Sequence, residues 1–279
     1  MKRFISTILI SLFVTLSVVE GFSQDRQFVR TYQSTVLQKG SMDLEGWNTF
    51  RSGRNYFYNA LDSRLEMEVG LTDKLQTALY FNVSHAASAP NKDTLGGIAD
   101  TSASGIIHES ELSMSSEWKL KLTDASLNAI GSGLYAEFLI SPSRFEIENK
   151  LILDKRLEKD IFALNFVNEY EIFKNVQKGK TLTTKEDEVE IDLAYMHLLK
   201  QNFGIGFESV NNNEIENKNW NFSALFAGPT IYYAHERYFF ILNVLPQLKN
   251  LHRTDDAPAN LVLNAHEKFE IRLLLGFSL

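Results

Sequence analysis

From Leu61 the chain alternates strictly. Leu61, Ser63, Leu65, Met67, Val69 and Leu71 fall on one face, and Asp62, Arg64, Glu66, Glu68 and Gly70 on the other. A period of two marks a strand, because successive side chains point to opposite sides. Thr72-Asp73-Lys74 predicts a tight turn, and Leu75, Thr77, Leu79, Phe81 and Val83 continue the apolar face along a second strand. Each strand runs about ten residues or more, enough for a tilted strand to cross a bilayer.

The same unit recurs to the end of the chain. Further strands are predicted over 41–51, 105–122, 131–140, 144–155, 160–173, 188–199, 202–211, 220–233, 238–248 and 261–279. Gly228-Pro229 predicts a bulge in the strand that holds it. Polar loops are expected over 85–104, 174–187, 212–219 and 249–260. The total is about twelve strands, an even number, with long connections collected at one end and tight turns at the other. That is the layout of an all-β, single antiparallel transmembrane barrel with both termini on the periplasmic side. Trp118, Tyr170, Tyr195, Trp220, Tyr233 and Tyr238 lie near strand ends, where aromatic girdles sit.

Charge changes the picture on one face only. Asp43, Glu45, Asp62, Glu66, Glu68, Glu109, Glu111, Glu117, Glu137, Glu146, Glu148, Glu169, Glu171, Glu190, Asp192, Glu208 and Glu270 share the face opposite the apolar one, against the fewer cations Arg51, Arg64, Lys119, Lys121, Lys150, Lys268 and Arg272. Charges on the lipid side cost kilocalories each, so this face is expected to line the lumen. Two readings follow. One is a narrow porin-like or transporter-like channel for small solutes that favours cations. The other is a structural or surface-interaction barrel whose lumen is closed by ion pairs. Eight strands fill with side chains and sixteen leave a channel; twelve lie between.

The start of the chain is a separate object. Lys2 and Arg3 precede an apolar run over 5–19, and small residues follow near Ser23. Residues 1–23 therefore read as a cleaved signal peptide, 24–40 as a polar periplasmic lead-in, and 41–279 as the barrel. No cysteine is present, which excludes disulfides and a lipid-modified cysteine anchor. A formal charge of -7 disfavours a nucleic-acid partner. The expected partners are outer-membrane lipid, the barrel-assembly machinery during insertion, and a small solute.

Candidate chemistry is sparse. His108 and Ser110 share the apolar face, as a His-x-Ser pair does in outer-membrane phospholipases. A nucleophilic serine also needs a group that orients its base, and the neighbouring outward positions Phe81, Val83, Leu134 and Ala136 offer none. The histidines show no metal-ligand spacing and no phosphate-binding glycine loop occurs, so no enzyme, no cofactor and no metal is expected. The segments K-G-S-M-D-L-E-G-W-N-T-F-R (39–51) and R-L-E-M-E-V-G-L-T-D-K-L-Q-T-A-L-Y-F-N (64–82) resemble uncharacterised outer-membrane barrels of Bacteroidetes-type bacteria. The G-L-T-D turn is also similar to that of the meta-pathway phenol-degradation outer-membrane family, often labelled transporters. The resemblance implies fold and location and supplies no substrate.

Overall fold

The computed structural model describes residues 26–89, 105–177, 180–216, 219–253 and 259–279. The twelve strands are β1 (Met42–Ser52), β2 (Tyr58–Thr72), β3 (Leu75–Ser88), β4 (Ile107–Thr123), β5 (Gly131–Ile140), β6 (Arg144–Leu157), β7 (Asp160–Gln177), β8 (Lys180–Lys200), β9 (Phe203–Glu216), β10 (Asn219–His235), β11 (Tyr238–Asn250) and β12 (Phe269–Ser278). Each pairs with its sequence neighbours, all antiparallel, and β1 pairs with β12 to close the ring. Closure leaves no sheet edge, so every strand can satisfy its backbone within the barrel.

The burial pattern is that of a soluble protein turned inside out. On β2, Leu65 is 54 % exposed while its neighbours Glu66 and Glu68 are 0 % exposed. Leu79, Phe81, Leu112, Met114, Phe138, Ile140, Leu193 and Leu275 extend the outward apolar surface around the ring. An apolar surface of this extent is unfavourable against water and suits contact with lipid.

The structure departs from expectation in several places. The polar stretch 174–187 is not a loop: β7 and β8 pair as far as Gln177 and Lys180. The stretch 212–219 likewise belongs to β9 and β10, which pair out to Glu216 and Asn219. Both stretches lack an apolar face, so periodicity could not reveal them; backbone pairing alone carries these hairpin extensions. Conversely, β12 begins at Phe269, and 259–268 turns back against β10 and β11, with Val262 packed on an apolar cluster that includes Phe222, Phe226 and Leu245. The register of β10 shifts at Leu225/Phe226 against β11 and at Trp220/Phe222 against β9, while around Gly228-Pro229 the ladder to β11 lapses between Phe226 and Thr230 with its register unchanged. Gly228 is instead a close approach, since a Cβ there would lie 2.0 Å from the Val244 carbonyl oxygen of β11.

The largest difference concerns the lead-in. Residues 26–37 run inside the barrel. Phe28, Val29, Thr31 and Ser34 are 0 % exposed. Phe28 and Val29 sit in an apolar cluster with Trp47, Ile161, Met196, Tyr232, Phe239, Ile241 and Leu274, all inward-facing and close to the tight-turn end. The lumen is thus apolar at that end of β7–β12, and the lead-in is its filling. The stretch 1–23 expected to be a signal peptide, the start of the lead-in at 24–25 and most of the expected 85–104 loop lie outside the described residues.

Candidate functional site

The lumenal segment, here called the strap, has no secondary structure, so its buried backbone needs partners from the wall. Polar side chains at inward positions supply them. Glu208 of β9 accepts the N–H groups of Val29 (3.2 Å), Arg30 (2.7 Å) and Thr31 (2.8 Å). The Thr230 hydroxyl (2.9 Å) and the Asn243 amide (3.2 Å) also donate to Glu208. Asn165 accepts from the Tyr32 N–H at 2.6 Å and donates to the Tyr32 carbonyl at 2.9 Å. Asp154 accepts from the Ser34 N–H and Gln76 from the Leu37 N–H.

Above the strap lies a polar vestibule of about 390 Å³, floored by Val29, Arg30, Tyr32 and Trp47. Strand register builds one wall. Glu117 of β4 stands opposite Glu137 of β5, Glu137 opposite Glu148 of β6, Glu148 opposite Glu169 of β7, Glu169 opposite Glu188 of β8, and Glu188 opposite Glu214 of β9. This is a ladder of six glutamates on the inward face, of which Glu137, Glu148, Glu169 and Glu188 line the vestibule. Like charges placed directly opposite one another are destabilising, and interleaved cations offset part of that. Arg64 reaches Glu137 at 3.2 Å, Lys150 reaches Glu148 at 3.1 Å, and Arg30 reaches Glu190 at 2.7 Å. Across the ring from β6–β8, Arg51 on β1, Arg64 on β2 and Arg272 on β12 stand among Asp62, Glu267 and Glu270. In all, ten carboxylates and six Arg or Lys side chains line the cavity.

At the loop end the returning segment before β12 closes part of the mouth. Glu267 faces Arg51 at 3.7 Å and Arg54 at 3.4 Å. Burial lifts the Glu267 carboxyl to about 7, with Glu270 adding to the rise and the two arginines opposing it. Burial also holds His266 down at about 4; Arg54 and Arg51 add to this and Glu270 opposes it. His266 packs edge-on to Phe222 and Phe226.

The residues expected to line a pore separate into distinct places. Arg51, Arg64, Glu111, Glu146, Glu148, Lys150, Glu169, Glu190, Glu270 and Arg272 line the vestibule. Asp43, Glu45, Glu66 and Glu68 do not; they are buried at the turn end of β1 and β2, beside Glu117. Glu208 is the strap anchor. Asp192 is buried with both carboxylate oxygens lacking a hydrogen-bond partner, and Glu171 is buried in an ion pair with Arg144. Glu109 and Lys268 are exposed and do not line the vestibule: Glu109 lies on the β3–β4 hairpin and Lys268 on the turn into β12. Arg26, Arg30, Tyr32, Arg144, Asn165 and Asp154 were not expected at the site. The strap residues carry no periodicity, and an isolated inward polar residue looks like any other lumenal one.

On the outward face, His108 does not pair with Ser110. His85 of β3 does, Nδ1 to Oγ at 2.8 Å, and His108 stacks on His85 with ring centroids 5.5 Å apart. The cross-strand register that sets His85 opposite Ser110 is what the sequence pattern missed.

A family of unknown function, DUF6662, matches residues 20–279, and the chain belongs to that family. No curated protein matches it significantly. Among solved structures, it is similar to the COG4313 outer membrane channel from Pseudomonas putida F1, with 12 % identity over 90 % of this chain and 100 % of that one and a TM-score of 0.61. It is also similar to the NanC porin, with 11 % identity over 85 % of this chain and 100 % of that one and a TM-score of 0.51. At such identities the likeness is one of fold.

Proposed function

We propose that this DUF6662 member is an outer-membrane channel for small polar solutes, favouring cations, whose turn end faces the periplasm and is shut by its own strap. One observation carries the reading: a charged cavity of about 390 Å³, within the range of small-molecule sites, ends on a floor made by an irregular segment of the same chain. The excess of carboxylates over cations on the cavity wall supports the cation preference. The outward apolar belt supports outer-membrane lipid and the barrel-assembly machinery as partners. The fold shared with the COG4313 channel and the NanC porin supports transport, as does the resemblance of the G-L-T-D turn to the phenol-degradation-type transporters.

A second reading, a barrel closed for good, is favoured by the complete burial of Phe28 and Val29 among apolar wall residues. Planar bilayers separate the two. The mature chain is expected to show brief cation-preferring openings. They should become frequent in Glu208→Ala and continuous when residues 26–37 are deleted. Neutralising Glu169 and Glu188 to glutamine should lower the cation preference of the deleted form. A mature chain that inserts yet stays silent at every voltage would refute the channel and leave the closed barrel.

A further inference from the structure

Below the vestibule, separated from it by Trp47, the turn end of β1–β4 gathers five carboxylates. Register sets Asp43 opposite Glu68 and Glu45 opposite Glu66. On β3 the small Ala78 stands between Glu68 and Glu117, opposite both, and leaves room for those two side chains to approach. Asp43 is 2 % exposed and the four glutamates 0 %. One oxygen from each of Asp43, Glu45 and Glu68 lies within 4.8 Å of the others, and the same holds for Glu66, Glu68 and Glu117. Glu68 belongs to both sets, so they form one nest.

Clustering alone would say little. The second observation is what the nest lacks. The Trp47 Nε1–H donates to Glu45 Oε2 at 3.1 Å and to Glu66 Oε2 at 2.8 Å, and the Tyr80 hydroxyl donates to Glu117 Oε2. These bonds occupy one oxygen of each of those three glutamates. Glu45 Oε1, Glu66 Oε1, Glu117 Oε1 and Asp43 Oδ2 are buried with no hydrogen-bond partner. Buried carboxylates without partners are costly and call for a counter-charge. Two protein cations are at hand. Arg26, stacked between Tyr32 and Trp47, lies 3.7 Å from Glu45, and Lys119 projects inward on β4 two residues from Glu117. Two cations against five carboxylates leave three negative charges away from solvent.

We propose that this nest binds one hard divalent cation of the calcium class. The donor set is all oxygen, with no thiolate or imidazole, which selects calcium, magnesium or manganese over softer metals. The carboxylates are 0–2 % exposed, which leaves no place for the several waters that magnesium usually keeps and favours calcium. A bound ion would tie β1, β2 and β4 together beside Arg26 of the strap. The rival account is that the carboxyls share protons and hold no metal.

Trp47 makes the site testable. The chain has three tryptophans, and the other two, Trp118 and Trp220, are 42 % and 50 % exposed. The mature chain is refolded into detergent with EDTA, with calcium, or with terbium, and folding is scored by heat-modifiable mobility. Terbium emission excited through indole is expected, with loss in Trp47→Phe and displacement by calcium. Calcium should raise the temperature of the mobility shift by several degrees, and Glu66→Gln combined with Glu117→Gln should abolish that rise. Unfolding temperatures that are equal in EDTA and calcium for the wild-type chain would overturn the proposal, as would terbium emission unchanged in Trp47→Phe. So would a midpoint that rises on acidification and ignores calcium, which is the behaviour of shared protons. If the double variant fails to fold, the wild-type calcium response and the Trp47→Phe emission still decide. Bilayer conductance plays no part in the outcome, so this inference can fail while the channel reading stands.

Discussion

Removing the Glu208 carboxylate should loosen the strap without unfolding the barrel. Glu208 accepts three successive strap N–H groups and two wall donors. In Glu208→Ala the wall donors Thr230 and Asn243 keep each other at 2.7 Å. The three strap N–H groups have no such substitute. An unsatisfied buried donor costs about 1–3 kcal/mol, so three set an upper range of about 3–9 kcal/mol, and partial relaxation should leave about 3–4 kcal/mol. Phe28 and Val29 hold the strap independently, at about 1.5–3 kcal/mol each for full burial. The strap should therefore stay docked on average but open more often, by roughly a hundredfold or more at about 1.4 kcal/mol per decade. The chain has no cysteine, so a single reporter is clean. Thr31→Cys is suitable because Thr31 is fully buried and its hydroxyl makes no hydrogen bond. A maleimide should label Cys at 31 slowly in the otherwise wild-type chain and about a hundred times faster beside Glu208→Ala, with barrel mobility unchanged. Equal labelling rates in the two backgrounds would refute the anchoring role of Glu208.

Two more outcomes follow from the walls. The Glu267 carboxyl, raised to about 7 by burial, binds more protons folded than unfolded, so it weakens the fold as pH rises from about 4.5 to 7. His266, lowered to about 4, binds fewer protons folded, so it strengthens the fold as pH rises from about 4 to 6.5. The two contributions oppose each other and nearly offset one another at this corner of the mouth. His266→Phe should leave stability falling with pH across that window, and Glu267→Gln should leave it rising. Exchange of the Lys268 amide, which bonds the Gly53 carbonyl at 2.8 Å, reads this out, and parallel slopes in the two variants would refute it. On the outward face, Leu65→Lys should cost about 2–4 kcal/mol in a bilayer if Leu65 lies near the midplane, measurable by denaturant titration in liposomes. A cost below 1 kcal/mol would place Leu65 away from the hydrocarbon.

The barrel was legible because lipid imposes a binary choice at every second residue. Leu65 and Met67 against Glu66 and Glu68 leave no second way to orient β2, and the short turns then fix which strands are neighbours. Where both faces are polar that choice disappears. Residues 180–187 and 212–216 are strands by backbone pairing alone, and nothing in their side chains distinguishes them from loop. The glutamate ladder depended on that same gap. Once the turn at Glu158-Lys159 is placed, Glu148 must face Glu169. Glu169 faces Glu188 only if the β7–β8 hairpin continues to 177 and 180, which is the stretch read as loop.

The strap was hidden for a different reason, and its signal lay in the wall rather than in the strap. A hydrated pore should be polar along its whole length. Yet the inward positions Ile161 and Ala163 on β7, Ala194, Met196 and Leu198 on β8, and Leu274 on β12 are apolar and gather at the turn end. Side chains facing inward there would meet water in an open pore, and nothing in the outward belt requires them. Apolar residues on a lumenal face demand an apolar partner inside the lumen. The lead-in holds matching apolar residues, Phe28-Val29, Tyr32 and Val36-Leu37, in an otherwise polar stretch. The lone polar wall residues Gln76, Asp154, Asn165 and Glu208 are the complement of the same fact. A strap without strand pairing carries unpaired N–H groups into the barrel, and each must be met by an acceptor at the height where it passes. Glu208, counted as pore charge, is therefore a partner of backbone, and the charge that a solute meets is that of the vestibule above it.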